Sequence, residues 1–158
     1  MKGEINHWGV SNFSKEQIEF LLSHNHRPIL NQVEYHPYFQ QPDLRNYCQS
    51  HGIILQSYRP LAEGKCLDDP ILLEIANKYN VSSAQIIYAW LSKQGIAIVS
   101  KTSSNQHQQD YIEAAKVNLS DNDMNMIYKL NKGPNGRTCT KGGWLVPFTD
   151  LIKNTWLK

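Results

Sequence analysis

Four short apolar runs in the sequence end on side chains that can hold a ligand. The first closes on Gly9-Val10-Ser11-Asn12-Phe13 and the second on Asn31-Gln32-Val33-Glu34-Tyr35-His36-Pro37-Tyr38. The third closes on Gln56-Ser57-Tyr58-Arg59-Pro60-Leu61 and the fourth on Ile98-Val99-Ser100-Lys101-Thr102-Ser103-Ser104. Together these ends supply amide and hydroxyl hydrogen-bonding groups, a flat aromatic, a lysine and a run of hydroxyls that leads into a helix start. A helix N-terminus beside Ser, Thr and Lys suits a phosphate. An aromatic flanked by amides suits a planar heteroaromatic ring bearing a carboxamide. The residue types therefore fit a phosphorylated planar ligand. They also fit a simpler reading, in which Ser, Asn and Gln only terminate strands and cap helices.

Parallel α/β folds gather ligand groups at the C-terminal ends of their strands. The elements between the four runs must then be helices that return the chain. The apolar pattern predicts strands over Ile5–Ser11, Ile29–Tyr35, Ile53–Tyr58 and Ile96–Ser100. The last is a continuous apolar run of the kind found in buried parallel sheet. Helices are predicted over Lys15–His24, Gln40–Ser50, Pro70–Tyr79, Ser83–Gln94, Asn105–Lys116 and Asp121–Leu130. Ser14 with Gln17 and Ser120 with Asp123 have capping-box spacing, Ser82 is a further N-cap, and Gly52 follows a helix end. Residues 62–69 read as a loop, and a Gly-rich stretch begins at Gly133. Strands alternating with helices pair in parallel. Four strands cannot close a barrel, which takes about eight, so this unit is an open sheet with two free edges.

Composition narrows the function classes. The chain has 158 residues, 41% apolar and 19% charged, which fits one globular domain. The net charge is only +2, without a basic block, so a nucleic-acid-binding role is not expected. No apolar run reaches the roughly 18 residues that a membrane span needs. Cys48, Cys66 and Cys139 are odd in number and form no Cys-x-x-Cys pair, which suggests a reducing, cytoplasmic setting rather than a disulfide framework or zinc site. The N-terminal residues do not read as a secretory or transit leader. His24 and His26 stand two apart at a helix end and diverge, so no metal is assigned. Tyr35 and His36 could be imagined as acid and orienter, but neighbouring strand residues point to opposite faces. Trp8, Trp90, Trp144 and Trp156 read as core or tail packing.

The four strand-end blocks, in this order and spacing, resemble the aldo-keto reductase family over about residues 2–131. The link Leu67-Asp68-Asp69-Pro70-Ile71-Leu72 is similar as well. The resemblance implies an α/β fold, the C-terminal half of a (β/α)8 TIM barrel, with a half-barrel over 1–132 and a C-terminal tail over 133–158. It implies an oxidoreductase that uses NADPH, less often NADH, to reduce small carbonyl compounds to alcohols. Under it, Ser11, Asn12 and Gln32 bond the nicotinamide carboxamide and Tyr58 stacks on the ring. Leu61 lies by the pyrophosphate, with Arg59 at a position usually held by Ser. Lys101 and Thr102 contact the 2′-phosphate, and His107 stands where NADPH-dependent members commonly carry an Arg. Asp110 and Tyr111 replace amide-type residues near the adenine.

The first strand here resembles the fifth of the family. The family's catalytic Asp, Tyr, Lys and His belong to the first four, so no catalytic residue is assigned and the chain reads as truncated. The alternative function is a non-enzymatic half-barrel that dimerises or binds a partner through its open sheet.

Overall fold

The computed structural model describes residues 5–139. Within them the chain runs β1 (Gly9–Ser11), α1 (Lys15–Ser23), β2 (Leu30–Glu34), α2 (Pro42–Ser50), β3 (Ile54–Tyr58), α3 (Pro70–Tyr79), α4 (Ser83–Lys93), β4 (Ala97–Val99), α5 (Asn105–Glu113) and α6 (Asp121–Tyr128). The four strands form one parallel sheet in sequence order. Trp144, Trp156 and the rest of the tail beyond residue 139 lie outside the described residues.

Local chemistry explains the helix starts. Ser14, Ser82 and Ser120 each cap a helix, and Gln17, Gln85 and Asp123 complete reciprocal capping boxes, which satisfies N–H groups that would otherwise lack partners. Pro42 and Pro70 occupy first-turn positions, where a missing N–H costs nothing.

The strands are shorter than the sequence predicts, most of all at the N-terminus. Strand β1 begins at Gly9, paired with Leu30, and residues 5–8 are not strand. The Ile29 amide still reaches the Trp8 carbonyl at 2.9 Å, but Pro28 precedes it and has no N–H to extend the ladder. Residues 62–69 are not a plain loop: Ala62–Gly64 makes a 3₁₀ turn, with Arg59, Ala62 and Glu63 all at positive φ.

Register divides the sheet into two faces. Asn31, Val33, Leu55 and Ser57 are buried on the helix side. Val33 and Leu55 join Ile18, Leu44, Leu72, Ile75, Ile86, Ile87 and Trp90 in the core. The other face carries Leu30 beside Ile54, then Ser11, Gln32, Gln56 and Ala97, then Glu34, Tyr58 and Val99. Ile54 is 48% exposed and Val99 44%. The fourth strand is thus not buried on both faces, as its apolar run predicts, because no described helix or strand covers this side, and residues 138 and 139 reach it only at Glu34.

Asp123 ties α3 to α6. Its buried carboxylate accepts from Lys78 Nζ at 2.8 Å, Tyr79 OH at 2.6 Å and Ser120 Oγ at 2.6 Å. Burial alone would raise its pKa; the Lys78, Ser120 and Tyr79 donors outweigh that and hold it well below the usual carboxylate range. A depressed folded-state pKa gives stability that is present above the unfolded value, ~3.9, and is lost as pH falls below it. Asp123→Ala should cost about 2–3 kcal/mol at pH 7. Denaturant melts at pH 7 and pH 3 check this: the gap between variant and wild type should narrow at pH 3, and an equal gap would discount the pair.

No helix among the described residues is long and apolar enough to cross a membrane. No group of three or more metal-ligating side chains occurs among them.

Candidate functional site

The first cluster lies where β1, β2 and β3 end. Asn12 follows β1 at φ 58°, a left-handed conformation that Asn tolerates better than most residues. Buried Asn31 fixes this turn: its Nδ2 donates to the Phe13 carbonyl at 2.9 Å and its Oδ1 accepts from the Phe13 amide at 3.3 Å. The Ser11 hydroxyl donates to the Gln32 carbonyl at 3.1 Å, and Asn12 Nδ2 donates to Ser11 Oγ at 3.3 Å. Tyr58 reaches across from β3, its hydroxyl donating to Asn12 Oδ1 at 3.0 Å. Burial, then the neighbouring Cys139 thiol, raises the Tyr58 pKa. The phenol therefore stays protonated and can donate.

Gln32 and Gln56 sit side by side, with Gln32 Nε2 donating to Gln56 Oε1 at 2.6 Å. The sequence reading gave Gln56 no role, although it lies two residues before Tyr58 and so shares its face. Ser11, Asn12, Gln32, Gln56 and Tyr58 form one bonded set on the face away from the core helices: three carboxamides, a serine hydroxyl and a half-buried tyrosine.

The second cluster surrounds the end of β4. A cavity of about 530 Å³ is lined by Leu61, Tyr88, Ile98, Lys101, Thr102, His107 and Tyr111 among others. Its wall is ordered by aromatic packing, with Tyr88 and Tyr111 edge to face at 4.9 Å and the Tyr111 hydroxyl donating to the Ile98 carbonyl at 3.0 Å. At one end, α5 begins. Thr102 Oγ1 accepts from the Ser104 amide at 3.0 Å, and Ser104 Oγ accepts from the His107 amide at 3.4 Å. Lys101 is exposed, and no carboxylate among the described residues pairs with it. A free ammonium, two hydroxyls and a helix N-terminus can hold an anion, and the apolar wall can hold a flat ring.

Eight of the nine residues singled out in the sequence fall into these two clusters. Arg59 joins neither. The backbone turns left-handed there, and its guanidinium pairs with Glu63 at 2.8 Å.

A third feature gave no sequence signal. Glu34, 3% exposed, stands opposite Tyr58 in the sheet register. It accepts from Thr138 Oγ1 at 2.7 Å, from the Thr138 amide at 2.6 Å and from the Cys139 amide at 3.1 Å. His36 Nε2 lies 3.1 Å away. Burial would raise the Glu34 pKa, but the His36, Thr138 and Cys139 donors bring it down to about 2. Tyr35, beside His36 in sequence, points instead into the helix layer, where its hydroxyl donates to Gln94 at 3.0 Å.

The family model described as Aldo/keto reductase family matches residues 1–132. The chain belongs to the aldo/keto reductase family. Similar curated members include Aldose reductase B of Dictyostelium discoideum, 38% identical over 152 residues, which cover 94% of this chain and 48% of the relative. Glyoxal reductase of Bacillus subtilis (strain 168) is 38% identical, over 84% of this chain and 50% of its own. This aldo/keto reductase chain thus spans about half the length of the curated relatives it matches.

Solved structures agree. A protein provisionally named 2,5-diketo-D-gluconic acid reductase B has a TM-score of 0.84 at 31% identity, over 92% of this chain and 52% of that one. A mutant of Gox0644 in complex with NADPH has a TM-score of 0.77 at 30% identity, over 85% and 51%. The four parallel strands with outer helices are one half of the aldo/keto reductase TIM barrel.

Proposed function

We propose that this chain carries the cofactor half of an NAD(P)H-dependent carbonyl reductase. The observation that carries the reading is the division of the site into a carboxamide-and-tyrosine cluster and an anion-binding cavity, both at the C-terminal end of one sheet. A nicotinamide dinucleotide has both kinds of group. When bound, the reduced cofactor supplies the hydride for carbonyl reduction. Ser11, Asn12 and Gln32 would bond its carboxamide, and the Tyr58 ring would stack on one face of the nicotinamide, fixing which face meets the substrate. Leu61 would lie along the pyrophosphate. Lys101, Thr102 and the start of α5 would take the 2′-phosphate, with His107 beside them. Arg59, already paired with Glu63, would contribute little.

Carbonyl reduction also needs a proton donor, and the resemblance assigns that role to no residue here. The proposal is therefore cofactor binding by this chain and reduction of small carbonyl compounds by a complete barrel.

His107 offers no bidentate fork for a phosphate, as an Arg would. His107→Arg should strengthen NADPH binding by about 1 kcal/mol, one added charge-assisted contact at an exposed site, and leave NADH nearly unchanged. Fluorescence titration of both cofactors checks this. Equal strengthening of both would move the 2′-phosphate away from α5.

A second reading is favoured by the uncovered sheet face. Ile54 is exposed on the face of the interior strand β3, while Val99 on β4 and Trp8 before β1, 37% exposed, stand by the two edge strands, and such edges pair readily. A second copy of the chain could cover this face. Sedimentation velocity across the micromolar range should show mass rising with concentration; a constant monomer mass would exclude self-association as the chain's role.

A further inference from the structure

We propose that Glu34 is a positioning residue, which clasps residues 138 and 139 across the ends of β2 and β3 and makes the chain after α6 a wall of the nicotinamide-side cluster. The proposal rests on the cofactor reading above for what that cluster binds.

The clasp is built from independent contacts. The Lys132 amide donates to the Tyr38 carbonyl at 2.9 Å, and the Lys132 ammonium sits 3.6 Å from the Tyr38 ring centroid. The Arg137 guanidinium lies 5.0 Å from the Phe39 ring. Between them, Gly136 is pressed so closely on the β2–α2 loop that a Cβ there would stand 1.8 Å from the Tyr38 carbonyl oxygen. These contacts deliver Thr138 and Cys139 to Glu34. Three donors from this segment, two backbone amides and the Thr138 hydroxyl, then converge on its carboxylate.

A carboxylate is an expensive choice at a 3% exposed strand end, since burying it without partners is strongly unfavourable. The sheet does not need it: the β2–β3 ladder is formed by backbone groups. What the carboxylate supplies is attachment across 104 residues of sequence. The attachment has a consequence at the site, because it brings the Cys139 thiol beside the Tyr58 hydroxyl, whose other partner is Asn12. Glu34, the segment 133–139, Tyr58 and Asn12 are thus one connected unit. Freeing the segment would open the site beside Tyr58 and loosen a bound nicotinamide.

The test uses Cys139 as a reporter. Cys48 and Cys66 are both fully buried, so their alkylation reports global opening, while Cys139 reports the clasp. Iodoacetamide labelling mapped by mass spectrometry would be run on wild type, Glu34→Gln, Thr138→Val and Gly136→Ala, with NADPH titrated into each. Glu34→Gln keeps the shape but turns an amide NH₂ toward N–H donors. It should raise Cys139 labelling about tenfold, the loss of one hydrogen bond to a charged group, with Cys48 and Cys66 unchanged. NADPH affinity should fall by a similar factor. Thr138→Val should move both readouts in the same direction by less, and Gly136→Ala by at least as much as Glu34→Gln.

Unchanged Cys139 labelling in Glu34→Gln and Gly136→Ala would overturn the clasp. Faster labelling with unaltered NADPH affinity would show a staple with no part in the site, and also overturn the proposal. If Glu34→Gln labels all three cysteines, Thr138→Val and Gly136→Ala decide by the same criteria. Failure of wild type to bind NADPH would count against the cofactor reading, while the labelling would still decide whether Glu34 holds the segment.

Discussion

Trp90→Ala is expected to destabilise the chain by about 3–5 kcal/mol, the usual cost of removing a large buried aromatic. Trp90 is fully buried on α4. Its ring stacks on Tyr35 at 5.6 Å and meets Tyr128 of α6 edge-on at 6.0 Å. One side chain therefore joins the end of β2, α4 and α6. Domains commonly hold about 5–15 kcal/mol in total, so the loss is a large fraction. The thermal midpoint should fall by roughly 10 °C. Binding should weaken with it, because α4 leads directly into β4 and Lys101. The indole N–H has no hydrogen-bond partner among the described residues, so Trp90→Phe leaves no described donor or acceptor stranded and should cost far less than Trp90→Ala. Circular dichroism melts of both variants check this. An alanine variant melting within a degree or two of wild type would mean that this core is not what holds the helix layer together.

The second large effect concerns turnover. The 158-residue chain alone should not measurably reduce a simple aldehyde with NADPH. A positioned proton donor typically contributes 10²–10⁴-fold, and the sheet face that carries Tyr58 has no described helix or strand over it, only residues 138 and 139 at Glu34. Tyr58 is itself a poor candidate for the donor. Its hydroxyl is committed to Asn12 at 3.0 Å, and its pKa is raised rather than lowered. Supplying the first half of a related barrel in trans should restore activity if the two halves assemble. NADPH oxidation followed at its absorbance band, with purified protein and a Tyr58→Ala control, measures this. Turnover by the isolated chain that disappears in Tyr58→Ala would contradict the assignment of no catalytic residue here.

Local signals made most of the fold readable in the sequence. The boxes at Ser14 and Ser120 and the prolines at 42 and 70 act within one helical turn, so their residues carry the information themselves. Strand lengths depend on the partner. Nothing in residues 5–8 says that Pro28 will end their ladder. The exposed face of β4 was also hidden, since an apolar run is the same whether or not anything covers it. In the site, Ser11, Asn12 and Tyr58 could be grouped from the sequence because each stands at a strand end, whereas Gln32, in the middle of β2, joins them through its register with Ser11. The pairing of Arg59 with Glu63 was not readable, because it depends on a loop shaped by three non-glycine residues at positive φ, Arg59 among them. The Glu34 clasp was invisible for a simpler reason. Its partners lie 104 and 105 residues away, and the close approach to the Tyr38 carbonyl is at a glycine, Gly136, which has no side chain to signal it.

The most direct test of the central claim is a calorimetric titration of NADPH and NADH into wild type and Lys101→Met. Lys101 is the exposed cation nearest the start of α5, and its role requires only a fixed charge at the cavity mouth. Wild type should bind both cofactors, NADPH more tightly. Lys101→Met should weaken NADPH by about tenfold, the order of one charge-assisted phosphate contact, and leave NADH within about twofold. An unchanged NADPH-to-NADH affinity ratio would show that the cavity at the end of β4 does not hold the 2′-phosphate, and binding of neither cofactor would contradict the account of this half-barrel as a dinucleotide site.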